Sequence, residues 1–151
     1  MNGLVDRLHA GRTQLLLLLA FLGLAVLFLG STWLSPTTRT LGGGLGDPGI
    51  FTWSLRWTPF AIGRQLSPLF SDYLNHPDGI NLMWNTWVPL PGLLLAPLTL
   101  AFGPVLSFNV LLTLAYGLSA WSAAKGTAAT DATNSRLLTR ATVIPPPAAI
   151  R

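Results

Sequence analysis

Apolar residues occur along the chain in two long blocks, which are separated by a more polar stretch at residues 35–85. The first block, residues 13–34, reads TQLLLLLAFLGLAVLFLGSTWL and contains no charged residue. An α-helix rises 1.5 Å per residue, so about 20 residues cross the ~30 Å hydrocarbon core of a bilayer. The pattern predicts a transmembrane helix over residues 13–34, after a short polar cytoplasmic head at residues 1–12.

The residues that flank this block indicate its orientation. Arg7 and Arg12 precede it, and basic residues before a first span favour a cytoplasmic N-terminus. The alternative is a secreted protein with a cleaved signal peptide, whose apolar region runs to about 7–15 residues and ends in small residues. This block is longer and its exit, GSTWLSPTTRT, contains no convincing cleavage site. We therefore expect an uncleaved anchor in the plasma (inner) membrane of a bacterium.

The connection at residues 35–85 is predicted to be a long outer loop that contains one or two interfacial helices. Asp47 followed by Pro48 is typical of a helix start, with Asp as the N-cap and Pro at the first helical position. Large apolar residues then recur every three or four positions, which predicts one stripe on an amphipathic helix at the membrane surface. The stripe consists of Ile50, Trp53, Trp57 and Phe60.

A second, weaker helical pattern runs from about residue 62 to residue 74, and the sequence HPDG at residues 76–79 is typical of a tight turn.

The second apolar block, residues 86–124, is too long for one span. The sequence Phe102-Gly103-Pro104 divides it, so the pattern predicts two helices, at about 86–102 and 105–124. Asn109 is the strongly polar residue inside this pair. We expect it to donate an interhelical hydrogen bond rather than to bind a ligand.

Residues 125–151 are rich in Ala and Thr, end in a proline triplet and are predicted to be a disordered tail. Three crossings from a cytoplasmic N-terminus would place this tail outside, yet it carries four basic residues against Asp131 alone. The positive-inside rule favours the cytoplasm. Either the 86–124 pair is a re-entrant hairpin plus one span, or the tail did not evolve to follow Trp121.

Composition supports a membrane protein and excludes several other classes. Half of the 151 residues are hydrophobic and 9% are charged, whereas soluble domains carry about a quarter. The nine basic residues are dispersed, so no nucleic-acid surface is predicted. The chain has no cysteine, which excludes disulfides and thiolate metal sites. Its six tryptophans lie at or between the ends of the apolar blocks, as interfacial anchors do.

Candidate chemistry is confined to the outer loop. Asp72, Asp78 and His76 have ordinary structural interpretations as solvated or turn residues, and no metal-binding spacing joins them. Asp47 is the candidate catalytic residue. A carboxylate at the bilayer edge, beside an apolar helix, is suitably placed to act as a base on an acceptor hydroxyl.

Residues 10–124 resemble the N-terminal part of the bacterial polytopic membrane glycosyltransferases of the type C superfamily (GT-C). The resemblance lies in the first span, in GDPGIFTWSLRWTPFAI at residues 46–62 and in HPDGINLMWNTWVPLPGLLLAPLTLAFGPVLSFNVL at residues 76–111. It implies transfer of a sugar from a polyprenyl-phosphate donor on the outer face, often with a divalent metal, and Asp47 matches the family's acidic position. No cofactor is otherwise evident.

The expected fold is an all-α membrane protein with no sheet and about three transmembrane helices. Members of the superfamily continue with many further spans, so we expect this chain to be a truncated or frame-shifted piece of a polyprenyl-phosphate-sugar-dependent glycosyltransferase, inactive alone. Its expected partners are the lipid bilayer and a polyprenyl-phosphate-linked sugar. The alternative is a small non-catalytic membrane protein that packs against a membrane-protein partner.

Overall fold

The computed structural model describes residues 2–43, 46–84 and 86–142, and these residues are mostly helical. A long helix stands at each end of this part of the chain, and four short helices and one strand pair lie between them. In chain order the elements are α1 (Asn2–Phe28), α2 (Gly30–Trp33), α3 (Asp47–Gly63), β1 (Phe70–Ser71), β2 (Ile80–Asn81), a 3₁₀ turn (Leu82–Trp84), α4 (Pro89–Leu94), α5 (Ala96–Phe102) and α6 (Pro104–Thr142).

Helices α1 and α6 pack side by side and run antiparallel. The indole N–H of Trp33, just past α1, reaches Thr113 near the start of α6, while Leu22 further back in α1 packs on Gly117. Gly117 permits this approach, because a Cβ there would lie 2.5 Å from Leu22 Cδ2. Small residues at such a contact bring helix backbones close together, as in other membrane helix pairs.

Two helices in the described part of the chain are long and apolar enough to cross a membrane, within Gly11–Phe28 and Pro104–Arg136. Only 6% of the first segment is buried inside the protein. Its leucines are largely exposed, with Leu16 at 59% and Leu27 at 75%. The helix predicted over residues 13–34 is confirmed, although it ends at Phe28 and a short second helix follows.

The prediction of about three spans is not confirmed. Residues 86–102, expected to form one spanning helix, instead contain α4 and α5, of six and seven residues. Pro89 is the first residue of α4 and Pro97 is the second residue of α5, positions at which a backbone N–H has no partner within the helix. The chain bends between the two helices. The break predicted at residues 102–104 does exist. Gly103 adopts φ +92°, a backbone conformation that favours glycine, and α6 begins directly after it.

Helix α3 packs against α4, α5 and the beginning of α6. Its buried face carries three small residues and two large side chains, Leu55 and Trp57, so Trp57 of the predicted aromatic stripe belongs to this face while Ile50 of the stripe is exposed. The buried residues are Ser54, Leu55, Trp57, Thr58 and Ala61. Gly92 of α4 contacts Thr58 so closely that an added Cβ would lie 2.6 Å from its Oγ1.

Two further features differ from the sequence-based expectations. A short antiparallel ladder pairs Phe70 with Asn81 and Ser71 with Ile80, in a loop where no strand was expected. Helix α6 continues to Thr142, where a disordered tail was expected from residue 125. The rest of that predicted tail, residues 143–151, lies outside the described residues.

Candidate functional site

A cleft of about 640 Å³ opens where α1 ends and α6 begins. Four segments contribute to it: the α2 turn, the connection that follows it, one face of α3 and the first two residues of α6. Its lining combines hydroxyl groups, an indole and two guanidinium groups, and the residues used below are Thr38, Arg39, Thr52, Trp53 and Arg56. The cleft therefore lies at the level where the apolar helices meet the polar loop.

Arg39 and Arg56 give this cleft its positive charge. Both side chains are exposed, and no carboxylate of the described residues lies within 4.0 Å of either guanidinium. A guanidinium stays protonated throughout the physiological pH range and offers five N–H donors. The threonine hydroxyls are already used as donors, because Thr52 Oγ1 donates to the carbonyl of Pro48 (2.6 Å) and Thr38 Oγ1 donates to that of Ser35 (3.4 Å). The two arginines are the charged donors of this lining, and the arrangement suits an anion.

Arg39 is placed by a buried polar network on α6. Asn109 Nδ2 donates to the carbonyl oxygens of Pro36 (2.9 Å) and Arg39 (2.8 Å). Thr113 Oγ1 accepts from Trp33 Nε1 (3.2 Å) and donates to the carbonyl of Asn109 (2.8 Å). Asn109 was expected to bond another helix; instead it binds the backbone of the connection after α2. Buried donors and acceptors need partners, so this network fixes the path of that connection.

Arg56 is placed by the packing of α3. Phe51 stacks on Phe108 of α6, with ring centroids 6.2 Å apart, and Trp53 stacks on Trp57 at 5.2 Å. Trp53 and Arg56 are three residues apart and therefore share one face of the helix. These contacts turn that face toward the cleft and leave the guanidinium in solvent.

A smaller groove of about 280 Å³ adjoins the cleft on its aromatic side. It shares Trp53 and Arg56 with the cleft, and its other walls are Trp57, Phe60 and Tyr73. The guanidinium of Arg64 lies over the Phe60 ring, 4.5 Å from its centroid. Arg64 lines neither the cleft nor this groove, so it is a natural control residue.

Asp47, the candidate catalytic residue, is exposed in the first turn of α3. The N-cap is Gly46 at φ +75°, and no side-chain capping hydrogen bond is made there, so the predicted Asp47 cap is shifted by one residue. Asp47 does not itself line the cleft, although Gly43 before it and Gly49 after it do. It precedes Arg56 by about two and a half turns of the same helix, so the two side chains point to opposite faces.

The divalent metal that the resemblance implies finds no site in the residues that the structure describes. They contain no group of three His, Asp or Glu side chains that could hold an ion. Asp72, His76 and Asp78 are all exposed in the loop around the strand pair. We therefore assign no step to a metal.

Comparison of the chain with protein-family models, with curated proteins and with solved structures finds no match.

Proposed function

We propose that this chain is a multi-pass protein of the plasma membrane whose outer cleft binds the phosphate of a lipid-linked sugar. The observation that carries the proposal is the pair of unpartnered arginines, Arg39 and Arg56, on a cleft that the beginning of α6 also lines. Arginine recognises phosphate through paired, charge-assisted hydrogen bonds. A phosphate held there keeps its lipid chain within reach of the apolar helices.

The apolar surface of α1 supports the membrane part of this proposal. Monomeric soluble proteins rarely expose a contiguous apolar patch larger than a few hundred Å². Here leucine after leucine is exposed along α1, as at Leu15 and Leu19, both above 50%. In a bilayer the same surface contacts acyl chains, so its exposure carries no unfavourable free energy of hydration.

The distribution of basic residues supports a two-span arrangement with both termini in the cytoplasm. Because α1 and α6 are antiparallel, the beginning of α1 and the end of α6 lie on one side of the bilayer. Five of the nine basic residues belong to those two helices. The outer segment between the spans carries three basic and three acidic residues. This arrangement follows the positive-inside rule and removes the conflict that three crossings create.

The glycosyltransferase resemblance adds a transfer step to the proposal. The Asp47 carboxylate takes the proton of an acceptor hydroxyl while that oxygen bonds to the anomeric carbon of the donor sugar. The bond from that carbon to the phosphate oxygen breaks, and the polyprenyl phosphate leaves with the electron pair. The exposure of Asp47 and its position between the cleft-lining residues Gly43 and Gly49 support this role.

Lipid-phosphate binding is tested with the purified chain in phosphatidylcholine nanodiscs, titrated with a polyprenyl monophosphate and followed by native mass spectrometry. Polyprenol and inorganic phosphate are the comparison ligands, which separate the contributions of the chain and of the phosphate. We expect saturable binding of polyprenyl phosphate, weak binding of inorganic phosphate and none of polyprenol. Equal binding of polyprenol would contradict a phosphate site.

The matched variants are Arg39→Gln and Arg56→Gln, with Arg64→Gln as the control. A hydrogen bond to a charged group contributes about 1.5–3 kcal/mol, so each cleft variant should bind about 10- to 100-fold more weakly. Arg64→Gln should bind like the parent chain, because Arg64 packs on Phe60 outside the cleft. Unchanged binding of polyprenyl phosphate in both cleft variants would show that these two arginines do not bind the phosphate.

A second candidate is a non-catalytic membrane protein that packs against a partner. A groove of about 310 Å³ between α1 and α6 favours it, with Phe21, Leu24, Phe28 and Tyr116 among its walls. Cross-linking in native membranes tests this alternative. The Leu24→Trp substitution fills the groove, so loss of a cross-linked partner in this variant would support the packing alternative. Recovery of the parent chain only as a dispersed monomer would count against that alternative.

A further inference from the structure

Helices α4 and α5 form an apolar element that is too short to cross a bilayer. Their bounds, Pro89–Leu94 and Ala96–Phe102, give about 20 Å of helix at 1.5 Å per residue, against about 30 Å of hydrocarbon. No charged residue occurs anywhere between Gly79 and Ala124. The element is thus uncharged and mostly apolar in sequence, but it is too short to be a span.

The junction with α6 fixes where this element lies relative to the long helix. Gly103 turns the chain, and α5 folds back onto the first turns of α6. Thr99 Oγ1 donates to Ser107 Oγ at 2.8 Å, and both side chains are fully buried. These two residues stand four positions before and after Gly103, so Thr99 lies at the level of the second turn of α6 rather than beyond its end.

The two sides of the element differ in their surroundings. One side packs on α3, where Gly92 meets Thr58. The other side is a bare leucine surface next to the beginning of α6, with Leu93 at 52%, Leu94 at 69% and Leu100 at 62% exposure. Exposure of such an apolar surface to water is unfavourable.

Part of the backbone at the bend is hydrogen-bonded within the protein. Lipid-exposed backbone must satisfy its hydrogen bonds internally. The N–H of Leu95 donates to the carbonyl of Pro91 (2.9 Å), and the carbonyl of Leu95 accepts from the N–H of Thr99 (2.8 Å). Pro97 has no N–H to satisfy.

We propose that α4 and α5 enter the outer leaflet without crossing it, so that their leucine surface contacts lipid acyl chains. The occupant is lipid because α5 packs directly on the beginning of α6, a helix apolar enough to span, and because no charged residue occurs from Gly79 to Ala124. The inference rests on the proposed membrane placement of α1 and α6, and it does not depend on the phosphate cleft.

The absence of cysteine from the chain makes site-directed spin labelling a clean test. The test variants are Leu94→Cys and Leu100→Cys in nanodiscs that hold one chain each. Leu19→Cys in α1 is the membrane control, and Asp78→Cys in the exposed loop is the aqueous control. Each label is measured for its collision rates with oxygen, which concentrates in lipid, and with a water-soluble nickel complex.

Labels at positions 94 and 100 should resemble the label at position 19, with high oxygen and low nickel accessibility. Their nickel accessibility should be at least about tenfold below that of the label at position 78, because the hydrocarbon region excludes the aqueous complex. High nickel accessibility at positions 94 and 100, with position 19 protected, would overturn this inference alone. High nickel accessibility at position 19 would overturn the membrane placement itself. Low accessibility to both reagents at positions 94 and 100 would mean burial in protein and would also overturn the inference.

Discussion

The side-chain amide of Asn109 donates a 2.8 Å hydrogen bond to the backbone carbonyl of Arg39, a residue 70 positions earlier in the chain. Asn109 is 1% exposed, and its second amide hydrogen binds the carbonyl of Pro36. One side chain of α6 therefore determines where the first cleft arginine stands. This relationship links the packing of the helices to the proposed anion site.

Replacing Asn109 by Leu should lower both stability and ligand binding. The substitution keeps most of the volume but removes the partner of two partly buried carbonyl groups, at up to about 1 kcal/mol each. We expect a lower melting temperature in detergent and weaker binding of polyprenyl phosphate, since the Arg39 backbone is released. Thr113→Val is the matched control, because it removes the Trp33 bond but leaves both carbonyls paired. Equal polyprenyl-phosphate affinity in the two variants, measured in nanodiscs below their melting temperatures, would show that Asn109 does not position Arg39.

The contact between α1 and α6 predicts opposite effects for two glycine substitutions in the same helix. Gly117→Ala places a Cβ 2.5 Å from Leu22 Cδ2 and 3.2 Å from its Cα, so the helices must separate, which should cost about 1–3 kcal/mol. Gly126→Ala meets nothing within 4 Å, and the higher helix propensity of alanine should add up to about 1 kcal/mol. Thermal unfolding in one detergent compares the two. A destabilised Gly126→Ala beside an unaffected Gly117→Ala would contradict the described packing.

Salt should weaken ligand binding at the proposed site. Arg39 and Arg56 are both exposed, so their attraction for a phosphate is screened over a Debye length of about 10 Å at 0.1 M salt and about 3 Å at 1 M. The dissociation constant for polyprenyl phosphate should rise from low to high salt, and the rise should be smaller in Arg56→Gln. A dissociation constant that is independent of salt would indicate that the lipid chain alone is recognised.

Asp47→Asn separates catalysis from binding. The substitution removes the proposed base while keeping the shape of the side chain, so transfer of sugar to an acceptor should be abolished in a transferase that contains this chain. Binding of polyprenyl phosphate should be unchanged, because Asp47 does not line the cleft. The loss of a carboxylate from a helix N-terminus should cost only about 0.3–1 kcal/mol. Retained turnover, measured with a radiolabelled sugar donor, would end the proposed role of Asp47.

The first helix could be predicted from the sequence because twenty-two consecutive uncharged and mostly apolar residues allow few other structures. The second block was harder for a physical reason. Hydropathy measures how apolar a segment is and does not say whether it crosses a bilayer or turns back. Pro89 and Pro97 indicated an irregular segment, but only the fold places Thr99 beside Ser107.

The cleft could not be predicted, because its two arginines are seventeen positions apart and separate long-range contacts place them. Arg39 depends on Asn109, and Arg56 depends on the stacking of Phe51 on Phe108. The sequence offered one indication of the site, which is that both arginines lie in the outer segment between the two apolar blocks. For α3, the aromatic spacing drew attention away from Ser54, Thr58 and Ala61, the small residues on which the helix packs.

The sidedness of two cysteine variants in right-side-out membrane vesicles tests most directly the two-span arrangement on which the proposed cleft depends. Asp78→Cys lies in the outer segment, and Thr127→Cys lies past the apolar part of α6; both parent residues are exposed. We predict that a membrane-impermeant maleimide labels Asp78→Cys in intact vesicles and labels Thr127→Cys only after permeabilisation. Labelling of both positions in intact vesicles would put them on the same side of the membrane and would contradict the two-span arrangement.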